Sequence, residues 1–304
     1  RLMHTDSVIG YELTGGVEAD MGFFNSITND VFQGFEFDYE NHLTKNQILN
    51  FTGDGSRMKS SACLCGEIRI ITDLKFLSAM RYDFISDYFK SNFPVADTSL
   101  GKSYHAFSPR LGLNLLTGYN ENYKGNIFAS YSRAYKMPSI DQLTDMKTVN
   151  YATFFPAGPV YQMMINKGNP FSNADLKPQK SNNFEIGINQ FFRLNKWFSV
   201  LLNFTGYLTD VEDEIDFDLV EYRYRNIQSS RHSGIEASVN FNYGRNWKGF
   251  INLQRCEVRF TSGENDGNYL KGVPKLSQTL GVSYAPESGF GAGLTLDGAS
   301  GIYL

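Results

Sequence analysis

Leu74-Lys75-Phe76-Leu77-Ser78-Ala79-Met80-Arg81-Tyr82-Asp83-Phe84-Ile85-Ser86-Asp87-Tyr88 is the stretch that decides the fold class. Its even positions hold Leu74, Phe76, Met80, Tyr82, Phe84 and Tyr88, with Ser78 and Ser86 among them, and its odd positions include Lys75, Arg81, Asp83 and Asp87. Period two is the spacing at which successive side chains of an extended strand point to opposite faces. One face here is greasy and aromatic, the other charged. Three further segments repeat the pattern. Ile235, Ala237, Val239, Phe241 and Tyr243 oppose His232, Glu236, Ser238, Asn240 and Asn242. Phe184, Ile186, Ile188 and Phe192 oppose Glu185, Asn189 and Arg193, and Phe198, Val200, Leu202, Phe204 and Leu208 oppose Ser199, Asn203, Thr205 and Thr209.

Reading outward, about twelve strands are expected, near 7–20, 31–43, 58–71, 74–90, 103–116, 123–133, 182–193, 197–209, 227–243, 248–260, 275–285 and 290–304. Several are longer than the roughly 5–6 residues common in soluble sheets. They suit the roughly 9–11 tilted residues that carry a strand across a bilayer. The expected connections alternate. Short ones fall near 72–73, 117–122, 194–196, 244–247 and 286–289, and long ones near 44–57, 91–102, 134–181, 210–226 and 261–274. Loops sorted by length to two sides mark an outer-membrane barrel, with tight periplasmic turns and long external loops. Residues 21–30 are assigned to the periplasmic side by alternation. On that assignment both chain ends point outward, so at least one strand is expected to be missing at each end and 1–304 reads as part of a larger barrel. Arg1-Leu2-Met3-His4 shows no basic region followed by an apolar core, which reads as a mature chain or a fragment.

Composition bounds the alternatives. The 304 residues carry 28 Lys+Arg against 32 Asp+Glu, a formal charge of −4, with 25 Phe, 18 Tyr and 28 Gly. No stretch approaches the ~18–20 consecutive apolar residues of a membrane-spanning helix. The acidic balance and the lack of a Lys/Arg cluster argue against nucleic acid as a partner. Cys63, Cys65 and Cys256 are an odd set with no zinc spacing, and all are read as unpaired. No G-x-S-x-G elbow, H-E-x-x-H or P-loop is present, so an enzyme is not expected. Gly289-Phe290-Gly291-Ala292-Gly293 reads as a tight turn entering a strand rather than a phosphate loop. No cofactor or metal is expected: His4, His42, His105 and His232 are scattered, and the run Glu212-Asp213-Glu214-Ile215-Asp216-Phe217-Asp218 lacks calcium-loop spacing and reads as a solvated loop base.

Ser130-Tyr131-Ser132-Arg133-Ala134-Tyr135-Lys136-Met137-Pro138 resembles the Y-S-R-A-F-R-x-P segment of TonB-dependent outer-membrane receptors. After a long loop, Asn173-Ala174-Asp175-Leu176-Lys177-Pro178-Gln179-Lys180-Ser181-Asn182-Asn183-Phe184-Glu185-Ile186-Gly187 is similar to that family's N-P-x-L-K-P-E-x-S-x-x-Y-E-x-G, with Ala174 in place of the usual Pro. Ser108-Pro109-Arg110-Leu111-Gly112 upstream matches too. So do Tyr207-Leu208-Thr209-Asp210-Val211-Glu212-Asp213, Tyr224-Arg225-Asn226-Ile227 to Gly234-Ile235-Glu236, and Val273-Pro274-Lys275, all in order. The resemblance implies an all-β transmembrane antiparallel barrel of 22 strands plugged by an N-terminal domain. It also implies partnership, through that plug, with TonB and its inner-membrane motor complex. Neither plug nor TonB-contact segment is found in this sequence.

Candidate sites follow from the two faces and the longest loop. Arg81, Asp83, Arg110, Glu185, His232 and Glu236 are placed on the polar face, toward the barrel lumen, where charged groups need a wet or paired environment. Loop 134–181 holds Phe154, Phe155, Tyr161, Gln162, Met163 and Met164, an apolar and aromatic set suited to contacting a ligand or lying on the rim as a lid. The absence of His from 134–176 disfavours haem, which family members ligate there. Arg255, Glu257 and Arg259 do not fit: they fall on the face of Ile251 and Leu253, so either a bulge switches the register or this part stands above the membrane. The expected function is active uptake of a scarce nutrient, a ferric siderophore or similar iron complex, across the outer membrane of a Gram-negative bacterium, with lipid and lipopolysaccharide around the barrel. The rivals are a passive porin-type channel, a barrel that anchors a surface protein complex, and a soluble β-sandwich enzyme or lectin.

Overall fold

The computed structural model describes residues 2–6, 9–31, 47–93, 98–144, 172–218, 221, 223–263 and 265–302, with backbone alone at 2–6, 9, 26–31, 47–52, 91–93 and 98. In chain order the elements are β1 (Leu2–Asp6), β2 (Ile9–Val31), β3 (Gln47–Ile71), β4 (Leu74–Phe93), β5 (Thr98–Tyr119), β6 (Tyr123–Lys136), α1 (Ile140–Thr144), β7 (Gln179–Arg193), β8 (Phe198–Glu212), β9 (Ile215–Asp218), β10 (Arg223–Asn226), β11 (Ser230–Tyr243), β12 (Trp247–Phe260), β13 (Leu276–Tyr284) and β14 (Ala292–Ser300). Twelve of the strands form one antiparallel sheet in sequence order, with β9 and β10 set apart as a separate ribbon between β8 and β11.

The turns at one end are tight because their residues supply the bonds. Asn120 Oδ1 accepts from the backbone N–H of Asn122 and Tyr123 at 3.0 and 2.8 Å, and Asn195 Oδ1 does the same for Trp197 and Phe198 at 2.8 and 3.0 Å. Gly244 and Gly289 take φ of +61° and +95°, a left-handed backbone that glycine adopts without steric cost. Gly289 therefore sits in a turn before β14, as expected. Aromatic side chains gather at this end. Ring pairs Tyr123–Phe192, Phe198–Tyr243 and Trp247–Tyr284 lie 5.2, 6.4 and 4.9 Å apart, and Lys196 lies over the Trp197 ring at 5.3 Å. Such rings with a cation beside them suit the headgroup level of a bilayer.

From that girdle upward, one face of the sheet is apolar for the length of a crossing. It runs from Phe198 to Leu208 on β8, from Tyr243 to Ile235 on β11 and from Leu115 to Phe107 on β5, matching the roughly 9–11 residues of a tilted strand. These side chains are not packed inside the protein: Tyr82 and Phe204 are each 46% exposed and Ile186 is 63% exposed.

Above the crossing the two faces exchange character. On β4, Phe76, Met80, Tyr82 and Phe84 point one way, and then Ile85 and Phe89, buried, point the other. On β8 the apolar row ends at Leu208, Asp210 takes the outward place, and Val211 is buried on the opposite face. On β12, Ile251 and Leu253 give way to Arg255, Glu257 and Arg259 outward and buried Val258 inward. The pairing of β11 with β12 runs from Ser230↔Phe260 to Tyr243↔Trp247 without a register shift. Of the two accounts of these charges, the bulge therefore falls.

The first third of the chain differs from expectation. Residues 21–30 are not a periplasmic connection. They belong to β2, which pairs with β3 from Gly10↔Arg69 to Val31↔Gln47 with one shift at Thr28/Asn29. At its start, β2 pairs with β1 from Leu2↔Leu13 to Asp6↔Ile9. The strand expected at 31–43 falls, Val31 apart, outside the described residues. The loop expected at 44–57 shrinks because 47–57 is strand, and 91–102 shrinks because β4 reaches Phe93 and β5 starts at Thr98. Ladder hydrogen bonds to long neighbours outweigh the local turn preference of Gly22, Asn25 and Asn29. Residues 210–226, expected as an irregular loop, carry the β9–β10 ribbon, and the acidic run within them is partly strand.

Candidate functional site

Directly paired residues in an antiparallel sheet share a face. Arg81 lies opposite Cys63 and Ser108, and Asp83 opposite Ser61 and Ala106. Arg110 faces Ala79 and Ser132, and Glu185 faces Ser130 and Tyr207. His232 pairs with Thr209 and Val258, and Glu236 with Thr205 and Gln254. These side chains thus stand on one face of the sheet, but they are spread from β4 to β11 rather than gathered.

Five of the six are held locally. Arg81 Nε donates to both carboxylate oxygens of Asp83 at 3.0 Å, and its Nη2 donates to Glu18 at 3.0 Å and Ser61 Oγ at 2.9 Å. Asn183 donates to Glu185 at 2.7 Å, and Gln254 to Glu236 at 3.2 Å. His232 Nε2 lies 3.1 Å from Ser230 Oγ, which donates to Glu214 at 3.0 Å. Arg110 is exposed and has no partner among the described residues. Between them the face is mostly neutral: Asn203, Ser238, Asn252, Ser277 and Thr279 surround Glu236 in a shallow depression of about 290 Å³. Such a surface offers donors and acceptors to water or to another polar surface. Cys63, Cys65 and Cys256 lie on this face too, all unpaired.

Above the crossing the same face becomes the floor of a small loop core. Tyr104, Leu143, Leu176 and Ile215 are buried together, with Leu100, Met137 and Tyr224 packed against them. Ser139 starts α1, and the Gln142 side chain reaches back to accept from its N–H at 3.0 Å, half of a capping box. Both stems of the long loop are tied to the wall. Arg57 makes a two-pronged bond to Asp87 at 2.7 and 2.8 Å, and its Nη2 donates to the Pro138 carbonyl at 2.9 Å. On the returning stem, Lys102 donates to the Ala174 carbonyl and Tyr104 to the Leu176 carbonyl at 3.3 Å. Asn226 bonds both the N–H and the carbonyl of Lys177, at 2.8 and 2.9 Å, and Asn173 donates to the Tyr224 carbonyl at 3.0 Å. Tyr104 lies above the bilayer crossing, and burial pushes its phenol up to about 12.

Pro138 and Pro178 thus flank a loop whose ends are fixed. Phe154, Phe155, Tyr161, Gln162, Met163 and Met164 lie outside the described residues. Arg57, Asp87, Lys102, Tyr104 and Asn226 carried no sequence signal as a clamp, since Arg57 sat in an expected loop and Asp87 was one of several charges in a row. Among the described residues no group of three or more His, Cys, Asp or Glu side chains converges in a way that could hold a metal ion.

A family model described as TonB dependent receptor-like, beta-barrel, matches residues 4–303. Among solved structures, the chain is similar to the ferric-catecholate import receptor Fiu from E. coli K12, with TM-score 0.64 and 19% identity over 93% of this chain and 40% of that one. It is similar to the ferric citrate transporter FecA in its unliganded form, with TM-score 0.64 and 16% identity over 98% and 40%. It is also similar to the siderophore receptor PiuA from Acinetobacter baumannii, with TM-score 0.62 and 16% identity over 93% and 42%. The chain spans about two fifths of the length of these structures. The ordered motifs, the sheet with its apolar and polar faces, and the match over nearly the whole sequence agree: this chain belongs to the TonB-dependent receptor β-barrel family.

Proposed function

We propose that this chain forms barrel wall in an outer-membrane receptor of a Gram-negative bacterium, one that takes up a scarce nutrient with energy delivered by TonB. A ferric siderophore or similar iron complex is the favoured cargo. The observation that carries the reading is the clamped loop core on the polar face. A loop with fixed stems at Pro138 and Leu176 presents its intervening residues at the mouth of the barrel, where Phe154, Phe155, Tyr161, Gln162, Met163 and Met164 contact the ligand or its aromatic groups. Below it, Arg81, Asp83, Arg110, Glu185, His232 and Glu236 face the lumen and dock a plug or line its water. The structural relatives named for ferric-catecholate import, ferric citrate transport and siderophore reception support the substrate class by analogy. Energy coupling has a physical reason: a site that holds a scarce ligand tightly releases it too slowly unaided. Lipid and lipopolysaccharide surround the apolar face.

Uptake of radiolabelled ferric siderophores by cells that express the protein, with and without a functional TonB, tests this reading. Accumulation of at least one iron complex that stops when TonB is removed is the expected result. Uptake that persists without TonB, or free passage of small sugars through the protein in swelling liposomes, would assign a passive channel instead.

A further inference from the structure

At the top of the apolar band, Arg231 and Arg259 are answered from within the protein and Arg255 is not. Arg231 makes a two-pronged bond to Asp210 at 2.6 and 3.1 Å. Arg259 is bonded to Glu257 and to the Gly267 carbonyl, and its guanidinium stacks 4.0 Å from the centre of the Tyr269 ring. Arg255 is exposed on the same face with no hydrogen bond or ion pair to any described residue. It lies opposite Ile235 and Leu276, so its neighbours across the ladder are apolar. Counted along β12 from the aromatic girdle at Trp247, it stands roughly 20 Å up a tilted strand, near the top of a ~25 Å apolar band. A lone guanidinium there is costly unless an anion meets it.

Beside Arg255 the outer wall is notched. Gly206 pairs with Ile186 and Ile235, both strongly exposed, and a side chain placed on it would meet nothing nearer than the Ile186 methyl at 4.0 Å. Around it lies an open depression of about 730 Å³, lined by Phe184, Ile186, Leu208 and Ile235 and by Arg255 and Glu257. The Glu257 carboxylate is already taken by Arg259, which leaves Arg255 as the unanswered charge. An apolar slot that ends in a free cation at headgroup height matches an acyl chain joined to a phosphate.

We propose that Arg255 and the Gly206 groove form a specific site on the outer wall for lipopolysaccharide, with a lipid A phosphate on the guanidinium and an acyl chain in the groove. The inference rests on the outer-membrane reading and deepens its lipid partnership, but it does not depend on the cargo. Lipid A that stays with the protein through detergent purification from outer membranes is counted by native mass spectrometry, with folding verified by heat-modifiable gel migration. R255A is expected to weaken retention about tenfold, the worth of one charge-assisted contact. Filling the notch with G206L is expected to lower it, R255K to keep most of it, and R245A, at the opposite end of the barrel, to leave it unchanged. Retention unaltered in R255A and G206L overturns the site, as does a retained lipid that is phospholipid rather than lipid A. TonB-dependent uptake measured alongside separates the two readings: lipid fully retained by R255A and G206L while uptake by the unaltered protein depends on TonB overturns this site alone, and uptake that ignores TonB overturns the receptor reading alone.

Discussion

Two levels of the same strands bury opposite faces. In the crossing, Tyr82, Phe204 and Ile235 remain 46, 46 and 47% exposed outward, while Arg81 and Glu236 find partners on the other side. In the rim above, Ile85, Phe89, Tyr104, Val211 and Val258 fall to between 3 and 6% exposed on the formerly polar face, and the outward face carries Asp210, Arg231, Glu257 and Arg259. The period never changes; only its phase against hydrophobicity does. The contrast locates the surroundings. Where lipid supplies the apolar solvent, greasy side chains need no protein neighbours. Where water surrounds the strands, the same chain must build an ordinary core, and it does so with Leu143, Leu176 and Ile215 from its own loops.

That contrast can be broken at either level, and the largest effect is expected in the rim. Leu176 is fully buried, so L176A should cost ~2–5 kcal/mol of local stability through lost contacts and a cavity. Hydrogen exchange should show protection lost over 137–144 and 172–178 while the lower strands stay protected. Loss spread evenly over the whole sheet would mean that rim and crossing are one cooperative unit.

Next comes charge placed on the outward face at two heights. F204R puts an arginine mid-band and should destabilise the folded barrel by ~2–4 kcal/mol in urea titrations in lipid vesicles. S233R, on the same face two positions beyond Ile235 and opposite Glu257, should change it by less than ~0.5 kcal/mol, as for a charge clear of the lipid. Equal costs at both positions would erase the boundary drawn between them.

Smaller effects are expected at the clamp. D87N leaves a partly buried Arg57 without its ionic partner and should weaken the Pro138 stem by about 1–2 kcal/mol, seen as faster proteolysis within 137–144. The smallest concerns pH. The Tyr104 phenol, near 10 when unfolded and pushed up to about 12 by burial, keeps its proton more firmly in the folded rim. Its contribution is full below pH ~10 and is lost as pH rises toward ~12, because ionisation then favours the opened loop. Proteolysis of the 172–178 stem should climb across that window, and Y104F should flatten the climb.

The crossing was legible in the sequence because membrane strands state their two faces residue by residue, from Leu74 to Tyr88 and from Phe198 to Leu208. The rim was not. Once the phase reverses at Ile85 and Val211, an apolar residue on the charged side looks like noise in a period-two count. The clamp was invisible for another reason: Arg57, Asp87 and Pro138 are joined only by the fold, across sequence separations of 30 and 81 residues. At 21–30, turn-forming residues pointed to a connection, and pairing along β3 overruled them. The lone charge at Arg255 was visible as a misfit, and the continuous register of β11 on β12 explains where it stands.

The account depends on which environment each face of β8 meets. With the native cysteines replaced by serine, a spin label moved one residue at a time from 198 to 212 reports contact with oxygen, which concentrates in lipid, or with a water-soluble nickel chelate. Oxygen access is expected to peak at 200, 202, 204 and 208 and to vanish at 210, where the nickel reagent takes over, with 203 and 205 seen only from water. A label at 204 that is immobile and reached by neither reagent would place Phe204 in a sealed protein interior and contradict the membrane assignment.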